Sequence, residues 1–252
     1  MEKVLLYSAR PSIFFQSLRQ MNQLDVWFPE LKNTIGIPQD PKHHAEGDVW
    51  NHTMMVLDEA VPFAPKVQNS LGFMLSALMH DVGKAACTEM IGGTIHSYQH
   101  ETAGIPLASA FMNRLGSPDS MIQYVVNMTA YHMKPYRLAK DHSSVKATNK
   151  MFSQVEEPQA LLYLSQADGL GKIPRSRNQP ERQAFLAERL AVYQEMMSRP
   201  YVMERDLTEA GLRADKNFAD YLSLAHKLRL AGISKEQALR QILAVAGKNK
   251  QS

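Results

Sequence analysis

Apolar residues recur three and four positions apart along nearly the whole chain, and the breaks between these stretches carry Gly, Pro, Asn or Asp. Residues at that spacing share one face of a helix, whereas a half-buried strand would alternate every second residue. The pattern predicts an all-α fold. Pro11-Ser12 opens a helix carrying Phe14, Phe15 and Leu18, and Leu24, Trp27, Phe28 and Leu31 cluster around Pro29. A polar loop over 38–47 leads to a helix over about 48–60, with Asp48 as its N-cap. Further helices are predicted near 69–82, 101–115, 119–132, 158–168, 180–197, 217–230 and 235–246. Near the end of the chain, Gly232 suits a helix terminus, and Ser234 with Gln237 fits a capping box for the next helix. Ser198-Arg199-Pro200 marks the clearest boundary, giving a main domain over 1–198 and a small helical appendage over 199–252.

Polar residues that interrupt apolar faces carry the chemical information. His52 shares its face with Val49 and Val56, and Asp168 falls on the side of its helix that also bears Leu161 and Leu164. Both are predicted to point inward. A buried carboxylate without partners costs several kcal/mol, so a cation or strong donors should face Asp168. Between them lies Leu78-Met79-His80-Asp81-Val82-Gly83-Lys84, an apolar helix ending in adjacent His and Asp before a glycine able to terminate it. Two imidazoles and two carboxylates from three helices would make a mixed nitrogen and oxygen site. Such a set suits Mn, Ni, Co, Fe or Zn better than Mg, which prefers oxygen ligands and retained waters. Each residue alone also has an ordinary reading: an inward histidine is usually a satisfied core residue, and Asp168 alone could be a buried cap or ion pair.

Composition narrows the classes without naming one. The 252 residues, 44% of them hydrophobic, suffice for a substantial core. Cys87 is the only cysteine, which excludes an intramolecular disulfide and a cysteine-based zinc site and fits a reducing compartment. The apolar run 71–79 is far short of a membrane span, and the first residues lack a signal-peptide core, so a cytoplasmic protein with no membrane partner is expected. A formal charge of +3 neither demands nor opposes a phosphate-bearing ligand. Seven of the nine histidines (43, 44, 52, 80, 96, 100 and 132) fall in the middle of the chain, where a site is expected.

In this order and fold context, His52, His80-Asp81 and Asp168 resemble the HD superfamily of metal-dependent phosphohydrolases. The similarity is closer still to the HD half of the bacterial tRNA nucleotidyltransferases, the CCA-adding enzymes. It rests on Ala9-Arg10-Pro11-Ser12-Ile13-Phe14-Phe15, Trp27-Phe28-Pro29-Glu30-Leu31, His44-Ala45-Glu46-Gly47-Asp48 with His52-Thr53, and His80-Asp81-Val82-Gly83-Lys84. His100-Glu101 before Gly104, Tyr131-His132 and Ala167-Asp168-Gly169-Leu170-Gly171-Lys172 extend it over roughly 8–175. Ala45 stands where that family usually has proline, and in the tail Ala214-Asp215 replaces its usual Pro-Gly. A strand-rich nucleotidyltransferase head is absent from this sequence, so CCA addition by this chain alone is not expected.

The resemblance implies an HD-domain helical bundle holding a divalent transition metal through His52, His80, Asp81 and Asp168. It further implies 2′,3′-cyclic phosphodiesterase, 2′-nucleotidase or phosphatase activity on a nucleotide or RNA end. Asp81 would both ligate the metal and orient the attacking water. Lys84 could reach a phosphate or pair with a site carboxylate, or lie solvated at the end of its helix. His100 and His132 are candidates for a second metal or for binding the substrate phosphate, and Glu101 for an imidazole partner. Lys172 and Arg175, in a glycine- and proline-containing loop, are candidate anion-binding residues. His44, Glu46 and Asp48 either border the pocket or brace the loop before His52. Expected partners are the phosphate substrate, with tRNA and a second copy of the chain as further candidates. The competing readings are hydrolysis of a 5′-nucleotide or alarmone, and an RNA-binding half of a split nucleotidyltransferase.

Overall fold

The computed structural model describes residues 1–212 and 217–249. In chain order the elements are α1 (Glu2–Tyr7), α2 (Ser12–Gln20), α3 (Leu24–Trp27), α4 (Pro29–Lys32), α5 (Val49–Ala60), α6 (Ser70–Met79), α7 (Lys84–Cys87), β1 (Glu89–Ile91) and β2 (Thr94–His96). They continue as α8 (His100–Arg114), α9 (Asp119–Tyr131), α10 (Met133–Lys140), α11 (Val145–Phe152), α12 (Pro158–Leu170), α13 (Gln179–Ser198), α14 (Glu204–Glu209), α15 (Phe218–Leu230) and α16 (Lys235–Asn249). The all-α expectation holds apart from β1 and β2, an antiparallel hairpin pairing Glu89 with His96 and Ile91 with Thr94. Gly92 and Gly93 turn it with φ of 58° and 79°, a conformation that glycine adopts without steric cost. Strands of three residues are too short to show the alternation on which the sequence reading relied.

The chain forms two compact units. The first comprises Met1–Asp141 and Val155–Leu186. Its centre is α6, where every residue from Gly72 to Met79 is buried, as expected of a helix surrounded by other elements. Helices α5, α9 and α12 pack on it, and α8 lies along α9. Asp48 caps α5 as predicted, its Oδ1 accepting the Asn51 N–H at 2.8 Å while Oδ2 takes that of Gly36 at 2.7 Å. Helix α6 stops at Met79, three residues earlier than predicted, so His80 and Asp81 emerge from the middle of the core. Gly83 does not terminate it. A Cβ at Gly83 would stand 2.0 Å from the His100 carbonyl oxygen and 2.4 Å from the Gly104 nitrogen, so glycine is needed for the close approach of two backbones.

The second unit comprises His142–Gln154 and Ala187–Ser252, whereas the sequence reading starts the appendage at 199. Leu207, Tyr221, Ala225, Ala238, Ile242 and Ala246 form its core. Helix α15 ends before Gly232 at φ 78°, and Ser234 and Gln237 exchange the capping contacts expected of them. Asn149 Nδ2 on α11 donates to the Leu230 carbonyl at 3.0 Å. Ala214-Asp215 lie outside the described residues.

Candidate metal centre

Six titratable side chains meet inside the first unit. His52 comes from α5, His80 and Asp81 from the end of α6, His100 from the first turn of α8, His132 from the α9–α10 junction and Asp168 from α12, and none is more than 5% exposed. Each imidazole has its Nδ1 against an oxygen: His80 on Ala77 O at 2.9 Å, His100 on Ser97 O at 2.8 Å, His132 on Thr129 O at 2.7 Å and His52 on Glu46 Oε1 at 3.0 Å. A carbonyl or carboxylate oxygen can only accept, so Nδ1 carries the proton in all four rings. Their Nε2 atoms are thereby left to face the centre.

Asp81 divides the inner surface in two. Its Oδ2 lies 3.5 Å from His52 Nε2, 3.3 Å from His80 Nε2 and 2.7 Å from Lys84 Nζ, and its Oδ1 lies 3.2 Å from His100 Nε2 and 3.5 Å from His132 Nε2. On the first side Asp168 Oδ1 is 3.1 Å from His52 Nε2. On the second, His100 and His132 bring their Nε2 atoms within 3.2 Å of each other. Two clusters with donor spacing suited to a metal ion result, His52-His80-Asp168 and Asp81-His100-His132. His80 Nε2 is buried and makes no hydrogen bond. An orphaned nitrogen beside two ionised carboxylates is what a divalent ion would complete, and His52, His80, Asp81 and Asp168 fit one.

The charges are consistent with that fit. Burial alone would raise the Asp81 carboxyl, but Lys84 and the surrounding imidazoles hold it well below the ordinary carboxylate range. Asp168 is likewise held low against its burial by Lys172 and His52. Burial opposes a charge on His52, yet Asp168 and Glu46 outweigh it and raise the ring above its usual value. His132 is lowered, by burial first, with Asp81 opposing. Lys84 is nearly buried and also donates to Gln39 Oε1 at 2.8 Å, so it pairs with a site carboxylate and is not a solvated helix-end cation. Lys172 Nζ lies 3.1 Å from Asp168 Oδ1.

Other candidates are placed differently. Arg175 directs its guanidinium to Glu59 and the Leu170 carbonyl. Glu101 Oε2 lies 3.6 Å from His100 Nδ1, whose N–H goes to Ser97 O at 2.8 Å, and the other Glu101 oxygen pairs with Arg137 at 2.7 Å. The sequence left Glu46 either bordering the pocket or bracing the loop before His52. The structure buries its carboxylate between His52, His44 and the Ile173 N–H. Its position before the helix that carries the inward His52 was the available signal.

A helical unit that buries a His-Asp pair with a further His and Asp from separate helices defines the HD class of metal-dependent phosphohydrolases. The HD domain family matches residues 49–190, and the chain belongs to it. Among curated proteins it is similar to the Multifunctional CCA protein of Actinobacillus pleuropneumoniae, 33% identical over 130 residues, which are 52% of this chain and 31% of that protein. It is 31% identical to the one of Pasteurella multocida over 68% of this chain and 41% of that protein. The one of Methylococcus capsulatus is 26% identical over 94% of this chain and 53% of its own length. The chain thus spans from about a third to about half of these relatives. Among the described residues no helix is long and apolar enough to cross a membrane.

Proposed function

We propose that the chain hydrolyses phosphate esters of nucleotides or RNA ends, with 2′,3′-cyclic phosphodiester and 2′-phosphate bonds favoured. Its place of action would be the cytoplasm, and tRNA is a candidate substrate given the similarity to CCA proteins. The carrying observation is Asp81, one buried carboxylate shared between two sets of inward imidazole nitrogens, of which His80 Nε2 makes no hydrogen bond.

A divalent cation held by His52, His80, Asp81 and Asp168 would supply Lewis acidity, making water a better nucleophile near neutral pH and offsetting phosphoryl charge. The chain's own residues do the rest. Lys84 keeps Asp81 ionised, so its carboxylate can accept a proton bond from the attacking water and orient it. His132, its Nδ1–H spent on Thr129 and its protonated form disfavoured by burial, meets the site with a lone pair. That favours a role for His100 and His132 in holding a second cation over donating to the substrate phosphate. Lys172 stands at the mouth beside Asp168, within reach of an incoming anion.

The test is turnover of 2′,3′-cyclic AMP and a panel of 2′-, 3′- and 5′-nucleotides with Mn, Ni, Co, Zn or Mg, in wild type and Asp81→Ala. Metal-dependent hydrolysis lost in the variant supports the reading and ranks the bonds. Metal binding without turnover of any ester would overturn it in favour of an RNA-binding module.

A further inference from the structure

Two cavities open beside the buried carboxylates, and they differ in their amide lining. One, of about 410 Å³, is edged by cationic and imidazole groups, among them Lys84, Arg137, His96 and His100. The other, of about 340 Å³, runs from Asp168 and Lys172 between α12 and the first turns of α13. Its lining includes Lys172, Arg182, His43 and His44, and it carries three primary amides where the first cavity has one. Gln166 comes from α12, while Gln179 and Gln183 are one turn apart on the same face of α13.

Local packing sets those amides. Gly169 is bare where a Cβ would lie 2.7 Å from Gln179 Nε2, and the room lets Gln179 reach across to α12. Its Nε2 donates to the Gln166 carbonyl at 3.1 Å, which fixes the amide plane and leaves Oε1 as an acceptor. Facing them, Tyr136 of α10 carries the Arg182 guanidinium over its ring, 5.0 Å from the centroid. That pair places an aromatic ring and a positive charge on one wall of the cavity. Paired donors and acceptors on amides match the mixed edge of a heterocyclic base, and stacked Tyr and Arg suit its face. The volume is within the range of small-molecule sites.

We propose that the amide-lined cavity is a nucleobase subsite, with the base edge on Gln179 and Gln183 and its face against the Tyr136–Arg182 pair, while the phosphate of the substrate lies toward Lys172 and the buried carboxylates. The proposal rests on the nucleotide phosphohydrolase reading for the purpose of the site, but its test does not. Adenosine, guanosine, cytidine and uridine, which carry no phosphate, are titrated into the full chain by calorimetry, in EDTA and with metal. At least one nucleoside should bind, equally well in both conditions, and about tenfold more weakly to Tyr136→Ala and Gln183→Ala. Gln183→Glu, which keeps the side-chain volume but exchanges a donor for an acceptor, should change the order of preference among the four. No nucleoside binding, or binding that all three variants leave unchanged, would overturn the subsite. Nucleoside binding in a protein that hydrolyses no phosphate ester would sink the hydrolase reading and leave the subsite standing.

Discussion

Glu46 Oε1 lies 3.0 Å from His52 Nδ1, so a carboxylate from the loop before α5 fixes the ring whose other nitrogen faces Asp168. The same oxygen takes His44 Nδ1 at 2.6 Å, and the second oxygen takes the Ile173 N–H at 2.9 Å in the loop that follows Asp168. Glu46 therefore holds two sides of the centre, His52 directly and the end of α12 through its loop.

Glu46→Gln should weaken metal binding by about 10–100-fold, the usual effect of removing a hydrogen-bond partner from a ligating histidine. The amide can accept at one atom only, so it cannot serve His52, His44 and Ile173 together. Chelator competition measures the affinity directly, and an affinity equal to wild type would show that His52 needs no such brace.

Metal should stabilise the wild type and not Asp168→Ala. With free metal at 100 times its dissociation constant, linkage gives about 2.7 kcal/mol. Urea unfolding of the EDTA-treated and metal-loaded proteins reads this difference. A variant that retains the full metal-induced gain would remove Asp168 from the ligand set.

The metal-free protein should lose stability with acid. Asp81, Asp168 and Glu46 all have folded pKa values below their ordinary ones, against the effect of burial and because cations and hydrogen bonds stabilise the ionised forms. Their contribution is full above the ordinary carboxylate range, about pH 4, and falls away as pH drops through the lower folded values. His52 runs the other way. Its raised value adds stability that is full below about pH 6.5 and is lost as pH rises through the folded pKa. Unfolding curves in EDTA between pH 8 and pH 3 should show the acid loss, and Asp168→Asn should flatten it; an acid limb of equal slope in that variant would contradict the assignment.

Gly83→Ala should cost about 3 kcal/mol, because its methyl would meet backbone atoms of His100 and Gly104 that cannot rotate away. Gly93→Ala, with open space but φ of 79°, should cost only about 1 kcal/mol. Comparable urea midpoints for the two would mean that the α7–α8 approach is less tight than described.

The helices and the His-Asp centre were legible because each leaves a local mark. Asp48, Ser234 and Gln237 mark helix starts, and His52 and Asp168 interrupt apolar faces three and four residues from their neighbours. What escaped has no such mark. The hairpin around Gly92 and Gly93 is too brief for a period, and α10 and α11 lie in a stretch where scattered lysines hid the periodicity. Gly83 looks like a helix end in sequence and is instead a contact with a segment 17 to 21 positions later, visible only once α8 is in place. The grip of Glu46 on Ile173 and of Arg175 on Glu59 depends on partners 127 and 116 positions away, beyond any local pattern.

His52 and Asp168 are 116 positions apart in the chain. A cation gripped by both would act on the unfolded ensemble as a removable cross-link, since the chain between them could not open fully while both ligands stayed attached. For a covalent link closing a loop of about 100 residues, the chain-entropy estimate is about 4.7 kcal/mol. An HD centre built from distant helices thus doubles as a clasp: lifetime against unfolding, and with it resistance to proteolysis, becomes a function of the metal supply around the protein.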